Sequence, residues 1–319
     1  MAPGAGGRAA RHLPAALEDL PWELPHRFLG LDDVAADFET AGVVVLPVPW
    51  EATTSWGGGT REGPRAILEA SRYIELYDQE LDRETADVGI HTLPALELTR
   101  AGPEPAMEEL RRSYGRVLEA CAGRFLVMLG GEHAVSAPAV HAHADRLDGR
   151  LTVLQLDAHA DLRAAYEGTP HSHASAMARI ADRADVVAVG VRALSTEEVD
   201  FARSRDGITL VWAEEMVDGD AWMERALEAL GPTVYLTFDV DYLDPSLMPS
   251  TGTPEPGGGD WYGTLRFLRR VFEERNVVAC DVVELAPTPG LRAPDFLVAK
   301  LVYKLVGYHD LTSHHPHSR

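Results

Sequence analysis

Short, nearly continuous apolar segments alternate with amphipathic segments along most of the chain, and this alternation is what most limits its fold. The apolar segments predict strands at 43–48, 125–129, 151–156, 186–191, 208–212, 234–238 and 277–285. The amphipathic segments predict helices at 64–71, 136–147, 175–183, 221–230, 261–274 and 293–307. Strands that are apolar on both faces, with helices between them, are typical of a parallel sheet covered by helices on both sides. We therefore predict an α/β protein.

The chain of 319 residues suits one large α/β domain. It contains no evident linker, repeat or shift in composition, so we expect a single domain at residues 21–312. Residues 1–20 are expected to form a flexible lead-in. Residues 313–319, which hold three histidines among polar residues, are expected to form a flexible tail.

The net charge of −21 disfavours nucleic acid as a partner, because such a surface repels phosphate groups. The same charge would attract a small cationic ligand only weakly at a distance in physiological salt, and by itself it is explained by solubility. No apolar run is long enough to span a membrane, and the N-terminus lacks the apolar core of a signal peptide, so we expect a cytoplasmic protein without a membrane partner. Cys121 and Cys280 lie in apolar surroundings and are expected to be buried free thiols.

Side chains that bind metals follow three of the predicted strands. Asp157, His159 and Asp161 come directly after one strand, and in an extended chain the side-chain period of two places them on one side. Asp239 and Asp241 follow another strand with the same spacing. Because sites in parallel sheets form beyond the carboxyl ends of the strands, we expect these side chains to converge. Converging carboxylates repel one another or stay unsatisfied without a cation.

A third strand end, in the segment Gly130-Gly131-Glu132-His133, adds a second imidazole. Two imidazoles and four carboxylates exceed the four ligands of a closed zinc site and suit two ions that share bridging carboxylates. A ligand set rich in oxygen and free of sulfur favours Mn²⁺, although Ni²⁺, Co²⁺ and Fe²⁺ accept the same ligands. Two ions ~3.5–4 Å apart hold a bridging hydroxide at neutral pH, so the residues predict a hydrolase.

Two more residues have a catalytic and a structural interpretation each. His173 precedes a predicted helix and would either shuttle protons near the metals or cap that helix. Glu284 ends the last predicted strand and would either pair with a guanidinium group or be an ordinary surface residue. Residue patterns alone leave both alternatives open.

These segments, in this order, resemble those of the ureohydrolase family, which includes arginase and agmatinase. The matching segments are residues 130–133, 157–161, 172–175, 238–241 and 281–284. The likeness runs from about residue 42 to the last predicted helix, and five ordered motifs make it specific.

The resemblance implies an arginase/deacetylase-like, three-layer α/β/α sandwich around a mostly parallel eight-stranded sheet. It implies two Mn²⁺ ions per subunit, held by His133, Asp157, His159, Asp161, Asp239 and Asp241. It further implies that Asp161 orients the bridging hydroxide, that Glu284 binds the guanidinium group and that His173 shuttles protons. Family members are usually trimers or hexamers, so we expect a homo-trimer or homo-hexamer.

Within the family, residues 53–67 and 252–259 resemble agmatinases. Arginases typically have an Asn two residues after the last Asp of the Asp-x-His-x-Asp segment, where this chain has Arg163. We expect Arg163, Glu167 and His171 to lie near the substrate entrance. There Arg163 would attract a carboxylate, unless it pairs with a local acid such as Glu167.

We therefore expect hydrolysis of agmatine to putrescine and urea. The first alternative is a ureohydrolase acting on 4-guanidinobutyrate, with arginine and formiminoglutamate less favoured by the residues around the motifs. The alternative of another class is a metal-binding regulatory or scaffold protein without activity. Such proteins have usually lost a metal ligand or the proton-shuttling histidine. This sequence retains all six candidate ligands and His173.

Overall fold

The computed structural model describes residues 23–313. The lead-in predicted at residues 1–20 lies outside the described residues. The tail predicted at residues 313–319 does too, apart from Ser313, which is the last residue of the final helix.

One parallel sheet forms the centre of the molecule. The strands are β1 (Val43–Val48), β2 (Tyr77–Asp78), β3 (Arg83–Glu84), β4 (Ile90–Thr92), β5 (Phe125–Gly130), β6 (Leu151–Leu156), β7 (Ala184–Val191), β8 (Ile208–Trp212), β9 (Thr233–Asp239) and β10 (Asn276–Val283). Eight of them form the sheet in the order β4-β1-β5-β10-β9-β6-β7-β8, and β2 and β3 form a separate small hairpin. Every neighbouring pair in the main sheet is parallel. The predicted α/β class and eight-stranded sheet are confirmed.

Helices lie between most consecutive strands of this sheet. They are α1 (Gly63–Ser71), α2 (Pro103–Ala120), α3 (Ser136–Ala144), α4 (Ala176–Ile180), α5 (Thr196–Ser204), α6 (Ala221–Ala229), α7 (Trp261–Glu274) and α8 (Ala293–Ser313). Helices α2 and α5, the three-residue edge strand β4 and the β2–β3 hairpin are not among the predicted elements. Two prolines begin α2, at the first turn where proline is tolerated, and many of its side chains are charged.

Side chains on the two faces of the sheet pack into two separate cores. In β1, Val43 and Val45 belong to one core, while Val44 and Leu46 belong to the other. One core includes residues of α1, α6, α7 and α8, and the other includes residues of α2, α3 and α4. Burial of each such side chain contributes about 1.5–3 kcal/mol. This arrangement confirms the three-layer α/β/α sandwich.

Both cysteines, Cys121 and Cys280, are buried free thiols, as the sequence predicts. Within residues 23–313, no helix combines the length and the apolar character that a membrane span requires.

The four central strands β5, β10, β9 and β6 are neighbours in the sheet, and their carboxyl ends lie at one edge. The chain after β5 carries His133, β10 is followed by Glu284, β9 ends at Asp239, and β6 is followed by Asp157. The sheet therefore brings together residues that are far apart in the chain, at the edge where parallel sheets form their sites.

Candidate metal centre and active site

Three carboxylates surround one imidazole nitrogen of His133. Its Nδ1 lies 3.0 Å from Oδ2 of Asp157, 3.0 Å from Oδ2 of Asp161 and 3.3 Å from Oδ2 of Asp239. All four side chains are buried. Despite these short distances, Nδ1 forms no hydrogen bond to any described residue. Nδ1 and the three carboxylates thus surround a common point.

A second group of three side chains shares Asp157 with the first. His159 Nδ1 lies 2.9 Å from Oδ2 of Asp241 and 3.6 Å from Oδ1 of Asp157. The ligand atoms of Asp157, His159 and Asp241 all lie within 4.8 Å of one another, as do those of His133, Asp157 and Asp239. Two three-residue groups with one common carboxylate suit two ions that share a bridging ligand.

The chain turns after β6 and after β9, whereas an extended chain was expected there. Asp161 has a φ of 54°, in the left-handed region that non-glycine residues rarely adopt. Asp241 lies in a short 3₁₀ helix, Val240–Tyr242, and its N–H donates to Oδ1 of Asp239. The prediction that a side-chain period of two aligns these residues was therefore wrong in its geometry, although the side chains do converge.

Three buried residues behind His133 determine which nitrogen faces the carboxylates. Thr237 Oγ1 donates to Oδ1 of Asp281 at 2.6 Å, and Tyr235 donates to Oδ2 of the same carboxylate at 2.7 Å. A hydroxyl group has one proton, so Thr237 Oγ1 acts as the acceptor for His133 Nε2, at 2.9 Å. His133 therefore carries a proton on Nε2 and directs Nδ1 towards the carboxylates. Burial favours the neutral ring, but the three carboxylates outweigh it and raise the pKa of His133 well above its usual value. Release of the Nδ1 proton on metal binding would leave the tautomer that a metal ligand needs.

The electrostatics of the cluster also fit a bound cation. Burial and the neighbouring Asp157 raise the pKa of Asp161 to about 7. Burial and nearby carboxylates also raise the pKa values of Asp239 and Asp241. For His159, burial favours the neutral ring, but Asp241 and Asp157 outweigh it and raise the pKa to about 12. Protons thus supply the positive charge that these carboxylates require, and divalent ions at the same point would supply it instead.

Glu284 lies beside this cluster. Its φ of 64° places it in the left-handed region, directly after β10 ends at Val283. Oε1 accepts a 2.6 Å hydrogen bond from the backbone N–H of His133. Burial, together with the negative charge of Glu132, raises the pKa of Glu284 well above its usual value. A cationic partner in the pocket would stabilise the ionised form.

His173 lies within hydrogen-bonding distance of two hydroxyl groups. Nδ1 lies 3.1 Å from Oγ1 of Thr53, and Nε2 lies 2.9 Å from Oγ of Ser55. It begins a 3₁₀ helix, His173–Ser175, but the capping side chain is that of Ser172. Burial and the nearby His159 imidazolium lower the pKa of His173 to about 4, so its ring is neutral at neutral pH.

One pocket contains five of the six candidate ligands together with His173 and Glu284. It is lined by Thr54, Ser55, Trp56, Gly57, His133, His159, Asp161, His173, Asp239, Asp241, Gly252, Thr253 and Glu284. Trp56 is 87% exposed, which is unusual for an indole ring, and it lies at the rim. A larger groove of about 1610 Å³ is formed mainly by residues 25–38 and 91–102, and no candidate ligand lines it.

A sequence model of the Arginase family matches residues 41–307. This chain belongs to the arginase family. It is 39% identical over 295 residues to the N(1)-aminopropylagmatine ureohydrolase of Synechocystis sp., which covers 89% of this chain and 94% of that relative. It is 33% identical over 255 residues to the agmatinase of Bacillus anthracis, covering 78% and 85% respectively. The solved structure of the agmatine ureohydrolase of Thermoplasma volcanium matches with a TM-score of 0.78 at 26% identity, covering 88% of this chain and 95% of that one.

In this arginase-family chain, the expected position of Arg163, Glu167 and His171 near the substrate entrance stays a prediction. The described residues that line the pocket do not include these three. Arg163 Nε lies 3.6 Å from Oε2 of Glu198, and its guanidinium group lies 5.4 Å from the ring centre of Tyr166. The local acid that pairs with Arg163 is thus Glu198, which is buried, rather than Glu167.

Several polar residues that contact the site have no role predicted from the sequence. These are Thr53, Ser55, Glu132, Thr237 and Asp281. Asp281 and Glu132 are charged residues in or beside apolar strands, and a buried charge in such a place signals a partner. The sequence carries no corresponding signal for Thr53 or Ser55, because their partners are 79 to 120 positions away in the chain.

Proposed function

We propose that this arginase-family enzyme hydrolyses the guanidino group of a linear guanidino amine and releases urea. We propose N(1)-aminopropylagmatine as the preferred substrate and agmatine as the second candidate. The observation that carries the proposal is the buried cluster of two imidazoles and four carboxylates, with Glu284 beside it in the same pocket. The family match over residues 41–307 supports the same chemistry.

We propose that His133, Asp157, His159, Asp161, Asp239 and Asp241 hold two divalent ions, and that Mn²⁺ is the native metal. The unpartnered Nδ1 of His133 and the absence of sulfur among these ligands support an oxygen-rich site of this kind. When bound, the two ions would lower the pKa of a water molecule towards neutrality and so supply a nucleophile. We also expect the enzyme to form a homo-trimer or homo-hexamer.

The roles proposed for Glu284 and His173 follow from where their polar atoms lie. The carboxylate of Glu284 pairs with the guanidinium group and orients it above the cluster. Hydrolysis forms a carbon–oxygen bond and breaks the carbon–nitrogen bond to the amine, which leaves urea and a free amine. The departing nitrogen needs a proton, and the neutral His173 ring in the same pocket takes up a proton and returns it there.

Two observations support a long, cationic substrate tail. The chain is 39% identical to an N(1)-aminopropylagmatine ureohydrolase but 33% identical to an agmatinase. The pocket rim carries the exposed indole of Trp56, and aromatic faces attract ammonium groups. Hydrolysis of N(1)-aminopropylagmatine would leave a triamine, whereas hydrolysis of agmatine would leave putrescine.

Guanidino acids fit less well. The ion pair of Arg163 with Glu198 leaves the pocket lining without an arginine to bind a substrate carboxylate. Neither 4-guanidinobutyrate nor arginine would therefore find an arginine or a lysine among the described lining residues. The net charge of −21 also favours the fully cationic compounds.

The test is urea release by the Mn²⁺-loaded protein from N(1)-aminopropylagmatine, agmatine, 4-guanidinobutyrate and arginine, assayed side by side. We expect kcat/KM to be highest for N(1)-aminopropylagmatine, followed by agmatine, with little release from the two acids. A preference for agmatine would leave the chemistry intact and move the assignment to the second candidate. A full metal load without urea release from any of the four compounds would instead favour a non-catalytic metal-binding protein.

A further inference from the structure

Glu132 is fully buried, and its carboxyl group holds the loop that follows β1. Oε1 accepts hydrogen bonds from the backbone N–H groups of Ala52 and Thr53, both at 2.5 Å. Oε2 accepts from the hydroxyl group of Thr53, also at 2.5 Å. Gly131, the preceding residue, approaches Trp50 so closely that an added Cβ would lie 2.0 Å from the Trp50 carbonyl oxygen. Glu132 thus fixes both the position of Thr53 and the direction of its hydroxyl group.

The hydroxyl group of Thr53 also contacts His173, from another part of the chain. Oγ1 accepts a 3.2 Å hydrogen bond from the backbone N–H of His173 and lies 3.1 Å from its ring Nδ1. A threonine hydroxyl has a single proton, and Thr53 donates it to Glu132. Towards His173 the oxygen therefore acts as an acceptor only, so its hydrogen bond to Nδ1 requires a proton on that nitrogen. Ser172 Oγ also lies near Nδ1, at the longer distance of 3.3 Å.

The other ring nitrogen of His173 is thereby left with a lone pair. Nε2 lies 2.9 Å from Oγ of Ser55, which lines the same pocket. The edge of the ring meets Tyr166, with the ring centres 5.7 Å apart and the planes at 77°. Hydrogen bonds at both nitrogens and this aromatic contact restrict the ring to one orientation.

We propose that Glu132 and Thr53 are positioning residues that hold His173 as its Nδ1–H tautomer, with Nε2 as the atom that carries a proton during hydrolysis. This proposal rests on the proposed function. In the reaction, the oxygen of one water molecule becomes the urea oxygen, and both water protons end on the departing amine nitrogen. Nε2 accepts one of these protons and passes it on, while Thr53 keeps the Nδ1 proton in place.

The test compares Thr53→Val, which removes the hydroxyl group at nearly constant shape, with Thr53→Ser, which retains it. The substrate is whichever of N(1)-aminopropylagmatine and agmatine the wild type hydrolyses faster. We expect Thr53→Val to lower kcat about 10- to 100-fold, because proton transfer by a positioned group contributes about 10²–10⁴-fold. Bound Mn²⁺ and KM should stay close to the wild-type values. Tm should fall in Thr53→Val, because Oε2 of buried Glu132 loses its donor. Thr53→Ser should recover most of kcat and of Tm.

A double-mutant cycle separates this role from a structural one. In a His173→Ala background, Thr53→Val should cause no further loss of kcat, because its partner is already absent. The matched control is Thr152→Val, which removes a buried hydroxyl group that accepts from Gly231 N–H, away from the pocket. This control should leave kcat unchanged.

Three results would overturn the proposal: an unchanged kcat in Thr53→Val, an equal loss of kcat in the His173→Ala background, or loss of bound Mn²⁺. A wild type that releases no urea from either substrate would instead contradict the proposed function. Failure of the two proposals is therefore distinguishable in the same set of assays.

Discussion

The backbone N–H of His133 donates a 2.6 Å hydrogen bond to Oε1 of Glu284, although 151 positions separate the two residues. This bond connects a proposed metal ligand to the carboxylate proposed to bind the guanidinium group. It joins the chain after β5 to the chain after β10, which are neighbours in the sheet. The spacing between His133 and Glu284 is thus determined by two neighbouring strands of the sheet.

Replacing Glu284 with Gln should lower kcat/KM while leaving the metal centre intact. The amide oxygen of Gln still accepts from His133 N–H, but the side chain no longer carries the charge that pairs with a guanidinium group. Hydrogen bonds to charged groups contribute about 1.5–3 kcal/mol, so we expect a loss of about 10- to 150-fold. Steady-state urea release and metal analysis of the same sample test this. Unchanged kcat/KM would exclude Glu284 from substrate binding.

A variant that lacks either His159 or Asp239 should bind one metal ion fewer than the wild type. Each belongs to a different three-residue group, so His159→Ala and Asp239→Ala should each retain about one ion and lose most activity, with the circular dichroism spectrum preserved. His141→Ala is the matched control, because His141 is a half-buried histidine on α3 that contacts the Arg179 carbonyl oxygen. Two retained ions in His159→Ala would contradict the ligand assignment.

Thr237→Val tests the residues behind His133. Without the hydroxyl group, the Nε2 proton of His133 loses its acceptor and the preference for the ligating tautomer is lost. Substitutions of this kind typically weaken metal binding by about 10- to 100-fold. Competition for Mn²⁺ with a chelator measures the change. Thr264→Val, which removes a hydroxyl group that donates to the carbonyl oxygen of Asp260 just before α7, should bind Mn²⁺ as the wild type does.

Trp56→Ala should affect the longer substrate more than the shorter one. An exposed cation–π contact contributes about 0.5–1 kcal/mol, so KM for N(1)-aminopropylagmatine should rise about 2- to 5-fold with kcat almost unchanged. The change for agmatine should be smaller. Tyr262→Ala, which removes another exposed aromatic ring outside the pocket lining, is the control. An equal change in KM for both substrates would argue against contact with the tail.

Buried His143 should make the protein less stable in mild acid. Burial and the nearby Arg146 lower the pKa of His143 to about 4, below the value of about 6.5 expected in the unfolded chain. Between these values the unfolded chain takes up a proton that the folded protein excludes. The neutral ring of His143 therefore contributes fully to stability above about pH 6.5, and this contribution is lost as pH falls to about 4. The loss in unfolding free energy is at most about 3 kcal/mol.

Chelator-treated protein is the sample for this measurement, because metal release in acid would otherwise add to the effect. Urea denaturation from pH 7.5 to 4.5 should show a steeper loss of unfolding free energy in the wild type than in His143→Gln. Parallel pH dependence in the two proteins would mean that His143 is protonated in the folded state.

Much of the fold was predictable because its signals are local. Three strands were predicted with the bounds that the structure has, at Val43–Val48, Leu151–Leu156 and Ile208–Trp212. Their apolar residues are continuous because helices cover both faces of the sheet. The convergence of the candidate ligands was also predictable, since every one of them follows a strand that ends at the same edge.

The rest depends on contacts between distant parts of the chain. The left-handed φ of Asp161 has no signature in the sequence, and it decides how that carboxylate reaches His133. The partner of Arg163 could not be predicted, because Glu198 is 35 positions away while Glu167 is only four. The contacts of Thr53 with Glu132 and His173 join three different loops. Composition and spacing carry no information on such pairs.

The most direct test of the account is a titration of the metal-free protein with Mn²⁺, with bound metal and urea release measured on the same samples. The two ligand groups that share Asp157 predict two bound ions per chain. Urea release from N(1)-aminopropylagmatine or agmatine should rise to its maximum only as the second ion binds. Full activity with a single ion, or no urea release at any metal load, would contradict the assignment of a two-metal ureohydrolase.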